Sequence, residues 1–236
     1  MNQLMTSRPS PSPDLVIPHP GEPRTVIDWQ HWRKRRAFLL SHDPDIPHYL
    51  VLPEVHQVLD SIKDMDTHFL TNTLWHTGAR ISEALALTRE SFHLDGVRNS
   101  MVALATAKQR SRGRPSTKDK ARSKPKRFIP IVDPLYLDEV ERFLATRKPN
   151  KDEPLFSLSR QAYDNRLKAI QADLNLPVAS LSAHTFRHSF AINCLFQGRT
   201  LKTVQEWLGH RNIADTEIYA RILNGETHHL MYGMLF

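Results

Sequence analysis

The sequence predicts a mainly α-helical domain carrying one small antiparallel β-sheet (an α+β fold). Two observations lead there. Apolar residues recur at helical spacing through most of the chain from residue 49 onward, with glycines and prolines as stops. Only two stretches, "SMVALATA" and "RFIPIV", change to a strand-like pattern, and they are close enough in sequence to pair as a hairpin with an overlong loop.

The elements follow in chain order. The stretch "SRPSPSPDLVIPHPGEPR" is rich in Pro and Ser and too poor in apolar residues to order itself. "TVIDWQHWRKRRAFLL" can form a short basic helix with Val26, Trp29 and Trp32 on one side, and the prolines of "SHDPDIPHY" end it. The expected division is therefore residues 1–48, a largely disordered segment with a short basic helix, and residues 49–236, the folded domain. Within the domain, "LPEVHQVLDSI" brings Val55, Val58, Leu59 and Ile62 onto one helical face. "THFLTNTLWHTG" is a helix stopped by Gly78, and "ARISEALALT" follows at once as another. After the two strands come helices in "PLYLDEVERFLATR", "SRQAYDNRLKAIQADL" and "SAHTFRHSFAINCLFQG". "TLKTVQEWLG" is a short helix with Thr200 as N-cap and Gly209 as stop, and "IADTEIYARIL" is the last.

Composition limits the function. With 40% hydrophobic and 24% charged residues in 236, the chain can bury a proper core. No apolar run approaches the roughly 18 residues of a membrane span, and "MNQLMTSRPSPSPDL" has no apolar signal region. The single cysteine, Cys194, lies in "FAINCLF" and reads as a buried small hydrophobe. A reducing, cytoplasmic location is expected. The net charge of +7 points to a polyanionic partner, and its distribution is more telling. Residues 108–127 hold ten Lys or Arg against one Asp, a local +9, and "RKRR" at 33–36 adds +4, so the remainder of the chain is net negative. The candidate phosphate contacts are Arg110, Arg112, Arg114, Lys118, Lys120, Arg122, Lys124, Lys126 and Arg127.

"HTFRH" aims His184, Arg187 and His188 in roughly one direction from a helix. The histidine spacing would suit a metal, but Arg187 would push a fixed positive charge into the same point, and neither an "HExxH" motif nor a cysteine pair occurs. No metal site and no cofactor are expected; an anionic ligand suits the set better. Three further features have the same character: "HTGARISEAL" with Arg80 at a helix start and Glu83 one turn on, "LGH" with His210 just past a helix end, and Tyr219 nine residues later.

In this order and spacing the motifs resemble those of the tyrosine recombinase (phage integrase) family, over roughly residues 50–225. The resemblance implies that family's catalytic domain and its reaction: cleavage and rejoining of DNA through a covalent 3′-phosphotyrosine, without metal or ATP. It implies Arg80 and Arg187 on the non-bridging oxygens of the scissile phosphate, Tyr219 as nucleophile, His184 for proton transfer and His210 as a hydrogen-bond donor to the phosphate. Arginine fits the first role because its guanidinium stays charged and forks onto phosphate. Glu83 reads as the residue orienting Arg80, and His188 as a packing or supporting residue. The family also carries a strand-borne lysine that protonates the leaving 5′-oxygen. Position favours Lys108, just after the first strand, with Lys124 and Lys126 as rivals.

The implied partners are double-stranded DNA at specific sites and further copies of the chain, a dimer on a site and a tetramer in synapsis. Resolvase of plasmid multimers and mobile-element integrase fit the residues equally. A DNA-binding regulator without turnover and a type IB topoisomerase are the rival readings. The family also clamps DNA with a separate N-terminal helical domain, whereas fewer than fifty residues precede the fold here. The basic hairpin and "WRKRR" are expected to compensate, or an accessory protein to assist. The apolar end, with Leu230, Met231, Met234, Leu235 and Phe236, is expected to fold back or to dock on a neighbouring protomer.

Overall fold

A computed structural model describes residues 27–43, 45–105 and 126–223. Lys108, Arg110, Arg112, Arg114, Lys118, Lys120, Arg122, Lys124 and the 230–236 tail lie outside the described residues.

Ten helices and three strands follow one another within them: α1 (Trp29–His42), α2 (Leu52–Ser61), α3 (Met65–Thr77), α4 (Ile81–Ala84), β1 (Phe92–His93), α5 (Gly96–Asn99), β2 (Met101–Ala105), β3 (Lys126–Pro130), α6 (Pro134–Arg147), α7 (Arg160–Asp173), α8 (Ala183–Phe196), α9 (Leu201–Leu208) and α10 (Ala214–Leu223). The sheet is antiparallel throughout, in the order β1-β2-β3, and Leu104 faces Arg127 across its central pair. Capping residues set the helix starts. The side chains of Asp64, Ser159, Ser182 and Thr200 each accept a hydrogen bond from a backbone N–H three residues on, and Asp133 does so for Leu135 and Tyr136.

Helix α3 is the centre of the core. Nine of its thirteen residues are buried, including Phe69, Leu70, Leu74 and Trp75, and it packs along α8, itself buried through Phe186, Phe190, Ala191 and Ile192. Several buried hydroxyls in this interior find protein partners. Thr71 donates to the Thr67 carbonyl, and the Tyr136 hydroxyl donates to Thr73. Cys194 is buried, which pushes its thiol up to about 12.

Three details differ from the sequence reading. Helix α1 packs on the fold before residue 49. Its Arg36 is only 2% exposed and forks onto Glu54 of α2 at 2.6 and 2.8 Å, also donating to the Tyr49 carbonyl. Trp32 lies over Phe196 with ring centroids 4.1 Å apart, and Arg35 donates to the Ile222 carbonyl at the end of α10. The "RKRR" arginines are thus partly spent on internal contacts. Second, "ARISEALALT" is helical only over Ile81–Ala84, because the following backbone is drawn away to pair with residues 154–155, where Leu155 donates to the Leu87 carbonyl. Third, β1 adds a strand of two residues, too short to leave a periodic signature.

Candidate active site

Two glycines build the site. Gly78 ends α3 at φ +59, and a Cβ there would lie 2.4 Å from a ring carbon of Phe190. Gly209 ends α9 at φ +66. Both stops use the left-handed conformation that glycine adopts without steric cost. Each turns the chain so that the next residues face one place: Arg80 two positions after Gly78, and His210 directly after Gly209.

Arg187 joins the two turns. It is 4% exposed, and its guanidinium donates to the carbonyls of Gly78 at 2.5 Å and Leu208 at 2.8 Å. These carbonyls sit at the C-terminal ends of α3 and α9, where the helix dipoles are negative and complement a buried cation. Burial nevertheless lowers Arg187, to about 10, and Arg80 adds to the effect.

Arg80 is held by Glu83. The Glu83 side chain, 1% exposed, accepts from the Arg80 guanidinium at 3.0 Å and from the Arg80 backbone N–H at 2.8 Å. On its other side it receives Arg127 in a fork of 3.0 and 2.6 Å. Burial pushes the Glu83 carboxyl up, and the bonds from Arg127 and Arg80 more than reverse this, leaving it below its ordinary value. The role read for Glu83 matches this geometry. Arg127 does not match its expected role as a phosphate contact. Its side chain turns inward to Glu83 and to the Trp207 carbonyl, at 2.7 Å, and is 10% exposed. Strand alternation carried the signal, since Arg127 shares a face with the buried Ile129. Lys126, by contrast, is exposed.

The histidines divide by environment. His184 stands exposed on the first turn of α8, and the shielded part of its ring, with Arg160, Arg187 and Arg80, lowers its imidazole. The Nδ1 of His210 meets the buried Thr216 hydroxyl at 2.9 Å, and the carbonyls of His210 and Arg211 accept from Gln205. Burial, then Arg187 and Arg80, hold His210 at about 4, so it is neutral near pH 7. His188 was read as a packing or supporting residue, and the contact it makes is of the supporting kind. Its Nδ1 lies 2.9 Å from the Tyr219 hydroxyl. Burial, then His184, Arg187, His210 and His48, hold His188 at about 4.

Tyr219 is 2% exposed on α10. Burial raises its hydroxyl to about 12, while Arg187 and Arg80 pull the other way. Among the expected residues, Arg80 at the start of α4 and Arg187 on α8 act electrostatically on each other and on His184, His210 and Tyr219. Thr216, Gln205 and the His188 contact were not read from the sequence. Thr216 stands three residues before Tyr219, one helical turn, which is the signal that could have found it.

Residues 49–226 match the phage integrase family. A probable site-specific recombinase in the afa region of Escherichia coli is 37% identical over 180 residues, covering 75% of this chain and 71% of the relative. A resolvase of Escherichia coli is 32% identical over 214 residues, covering 84% and 82%. The solved XerH site-specific recombinase, bound to a palindromic difH substrate in a post-cleavage complex, superposes with a TM-score of 0.61 at 22% identity. That match covers 80% of this chain and 54% of the XerH chain, so this chain spans about half of XerH. At that identity the likeness shows the fold.

Proposed function

As the chain belongs to the phage integrase family and is a tyrosine-type, site-specific DNA recombinase, we propose that Tyr219 is its nucleophile and that Arg80 and Arg187 bind the scissile phosphate of duplex DNA. The Tyr219 oxygen forms a bond to phosphorus as the bond from phosphorus to the 5′-oxygen breaks, leaving a 3′-phosphotyrosine and a free 5′-hydroxyl. The ester retains the energy of the broken linkage, so a 5′-hydroxyl from a partner strand reverses the step without ATP. The observation that carries this reading is the convergence of both arginines on a buried tyrosine from separate elements.

Charge accounts for the arginines. The pentavalent intermediate gains negative charge on its non-bridging oxygens, and fixed donors aimed there each supply about 10²- to 10³-fold in rate. The bonds from Arg187 to Gly78 and Leu208 leave other N–H groups of its fork for phosphate, and Glu83 keeps Arg80 directed without neutralising the pair. His184, exposed beside them, suits a hydrogen bond to the same phosphate, and His210 a second one from its Nε2. Lys108 is the proposed acid for the 5′-oxygen, with Lys126 and Lys124 as rivals. Arg110, Arg112, Arg114, Lys118, Lys120, Arg122 and Lys124 are proposed to track DNA phosphates. The catalytic unit includes α1 as well as residues 49–223, and exchange of strands uses four copies on two duplexes, with or without an accessory protein.

The test is incubation of the full chain with nicked duplexes of randomised sequence, followed by a denaturing gel. A covalent protein–DNA band that is absent with Tyr219→Phe supports the reading. A band that persists in that variant refutes it.

A further inference from the structure

We propose that His188 is a catalytic residue, the group that receives the Tyr219 phenolic proton as the oxygen attacks phosphorus. The inference rests on Tyr219 being the nucleophile and reassigns the proton transfer expected of His184.

Geometry distinguishes the two histidines. They occupy the same face of α8 one turn apart, with ring centroids 6.3 Å from each other. His184 is exposed on the first turn, where Arg80 and Arg187 act on it. His188 lies deeper. Its ring centroid is 5.7 Å from that of Tyr219, and Nδ1 to hydroxyl is 2.9 Å, within the distance at which a base must stand from the proton it takes.

The balance of the step is direct. In the Nε2-protonated tautomer, Tyr219 donates its O–H to Nδ1, and the lone pairs of the phenolic oxygen remain for phosphorus. As the Tyr219 O–P bond forms and the P–O5′ bond breaks, the proton moves to Nδ1, giving an imidazolium. The departing 5′-oxygen takes a different proton, from the lysine acid. On rejoining, the imidazolium returns its proton to the phenolic oxygen.

At rest the proton stays on Tyr219. Burial holds the phenol at about 12, and burial, then His184, Arg187, His210 and His48, hold the imidazole at about 4. Without DNA the pair is a hydrogen bond and the nucleophile is neutral. A phosphodiester seated on Arg187 and Arg80 brings a negative charge that offsets the Arg187 cation and raises the basicity of His188. Nucleophile activation is thereby coupled to occupancy of the phosphate site.

Two measurements on the full chain test this. In ¹⁵N-histidine NMR of the free protein, the His188 Nδ1 should carry no proton, and its resonance should move in Tyr219→Phe. A protonated Nδ1 in the free protein would overturn the proposal. Covalent adduct formation is then followed with a duplex captured from the randomised pool, once with its normal 5′-oxygen and once with a bridging 5′-sulfur, which leaves without protonation. His188→Leu and His188→Gln should both lose about 10²- to 10⁴-fold in rate, equally on both substrates. Gln keeps a hydrogen-bonding group and guards against misfolding as the cause. A Gln variant near the wild-type rate would reduce His188 to holding the phenol and overturn proton transfer. Rescue by the sulfur substrate would move His188 to the leaving-group side, also overturning it. An adduct that forms in Tyr219→Phe would instead defeat the underlying assignment of the nucleophile.

Discussion

The guanidinium of Arg187 donates to the carbonyl of Gly78, 2.5 Å away and 109 residues earlier in the chain. The same side chain reaches Leu208, so one buried cation fastens the ends of α3 and α9. Arg187→Lys cannot fork onto both carbonyls and a phosphate at once. We expect it to lower the rate of adduct formation by about 10²- to 10³-fold, and to lower the thermal midpoint because a buried carbonyl loses its donor. A gel time course and a thermal melt on the same preparation check the two effects. Gly78→Ala should lose stability too, by more than about 1 kcal/mol, since φ +59 and the Phe190 ring both oppose a Cβ.

Glu83 stands between Arg80 and Arg127 with its side chain 1% exposed. Glu83→Gln leaves two guanidinium groups facing a neutral amide and should cost about 3 kcal/mol in a denaturant titration. The pH dependence has a definite sign. The folded carboxyl lies below its ordinary value of 4.5, so its contribution is present above that pH and is lost as pH falls through the lower folded value. The stability gap between wild type and Glu83→Gln should therefore close on acidification below about 4.5, measured by thermal midpoints from pH 7 to pH 3.

Arg36 and Glu54 form a buried pair that ties α1 to α2. Arg36→Ala leaves the buried carboxylate with only the partly exposed Arg33 at 3.2 Å and the Val51 N–H, and should destabilise the protein by about 3 kcal/mol. The double variant Arg36→Met with Glu54→Met should recover most of this, as the desolvated charges are both removed. Chemical denaturation of wild type, Arg36→Met, Glu54→Met and the double variant gives the comparison; additive losses would mean that the pair is not coupled.

Thr216 fixes the imidazole of His210 through its hydroxyl. Thr216→Val should reduce adduct formation by about tenfold with little change in DNA affinity, which is the scale of one misdirected hydrogen bond. Thr216→Ser should be close to wild type. Filter binding and the adduct assay, run side by side, separate the two effects.

Much of this was legible in the sequence because it rests on local rules. Gly78 and Gly209 stop α3 and α9, and Thr200 caps the start of α9, so these helices are bounded near where the pattern says. The spacing of Arg80, His184, Arg187, His210 and Tyr219 was equally plain. What was not legible depends on contacts distant along the chain. Arg127 reads as one more cation in a basic run, and only Glu83, 44 residues away, turns it inward. Arg36 looks like part of a basic surface until Glu54 meets it. His188 lacks any sequence feature that singles out its partner, and its hydrogen bond to Tyr219 emerges only across the α8–α10 contact.

The central claim is that Tyr219 carries the DNA. The direct measurement is mass spectrometry of the trapped adduct after nuclease and trypsin digestion. Cleavage after Arg211 and Arg221 yields "NIADTEIYAR", whose single tyrosine is Tyr219. The account predicts a nucleotide on that peptide, attached through a 3′-phosphate to the phenolic oxygen. A nucleotide found instead on a peptide containing Tyr163, or on a serine or histidine, would contradict it.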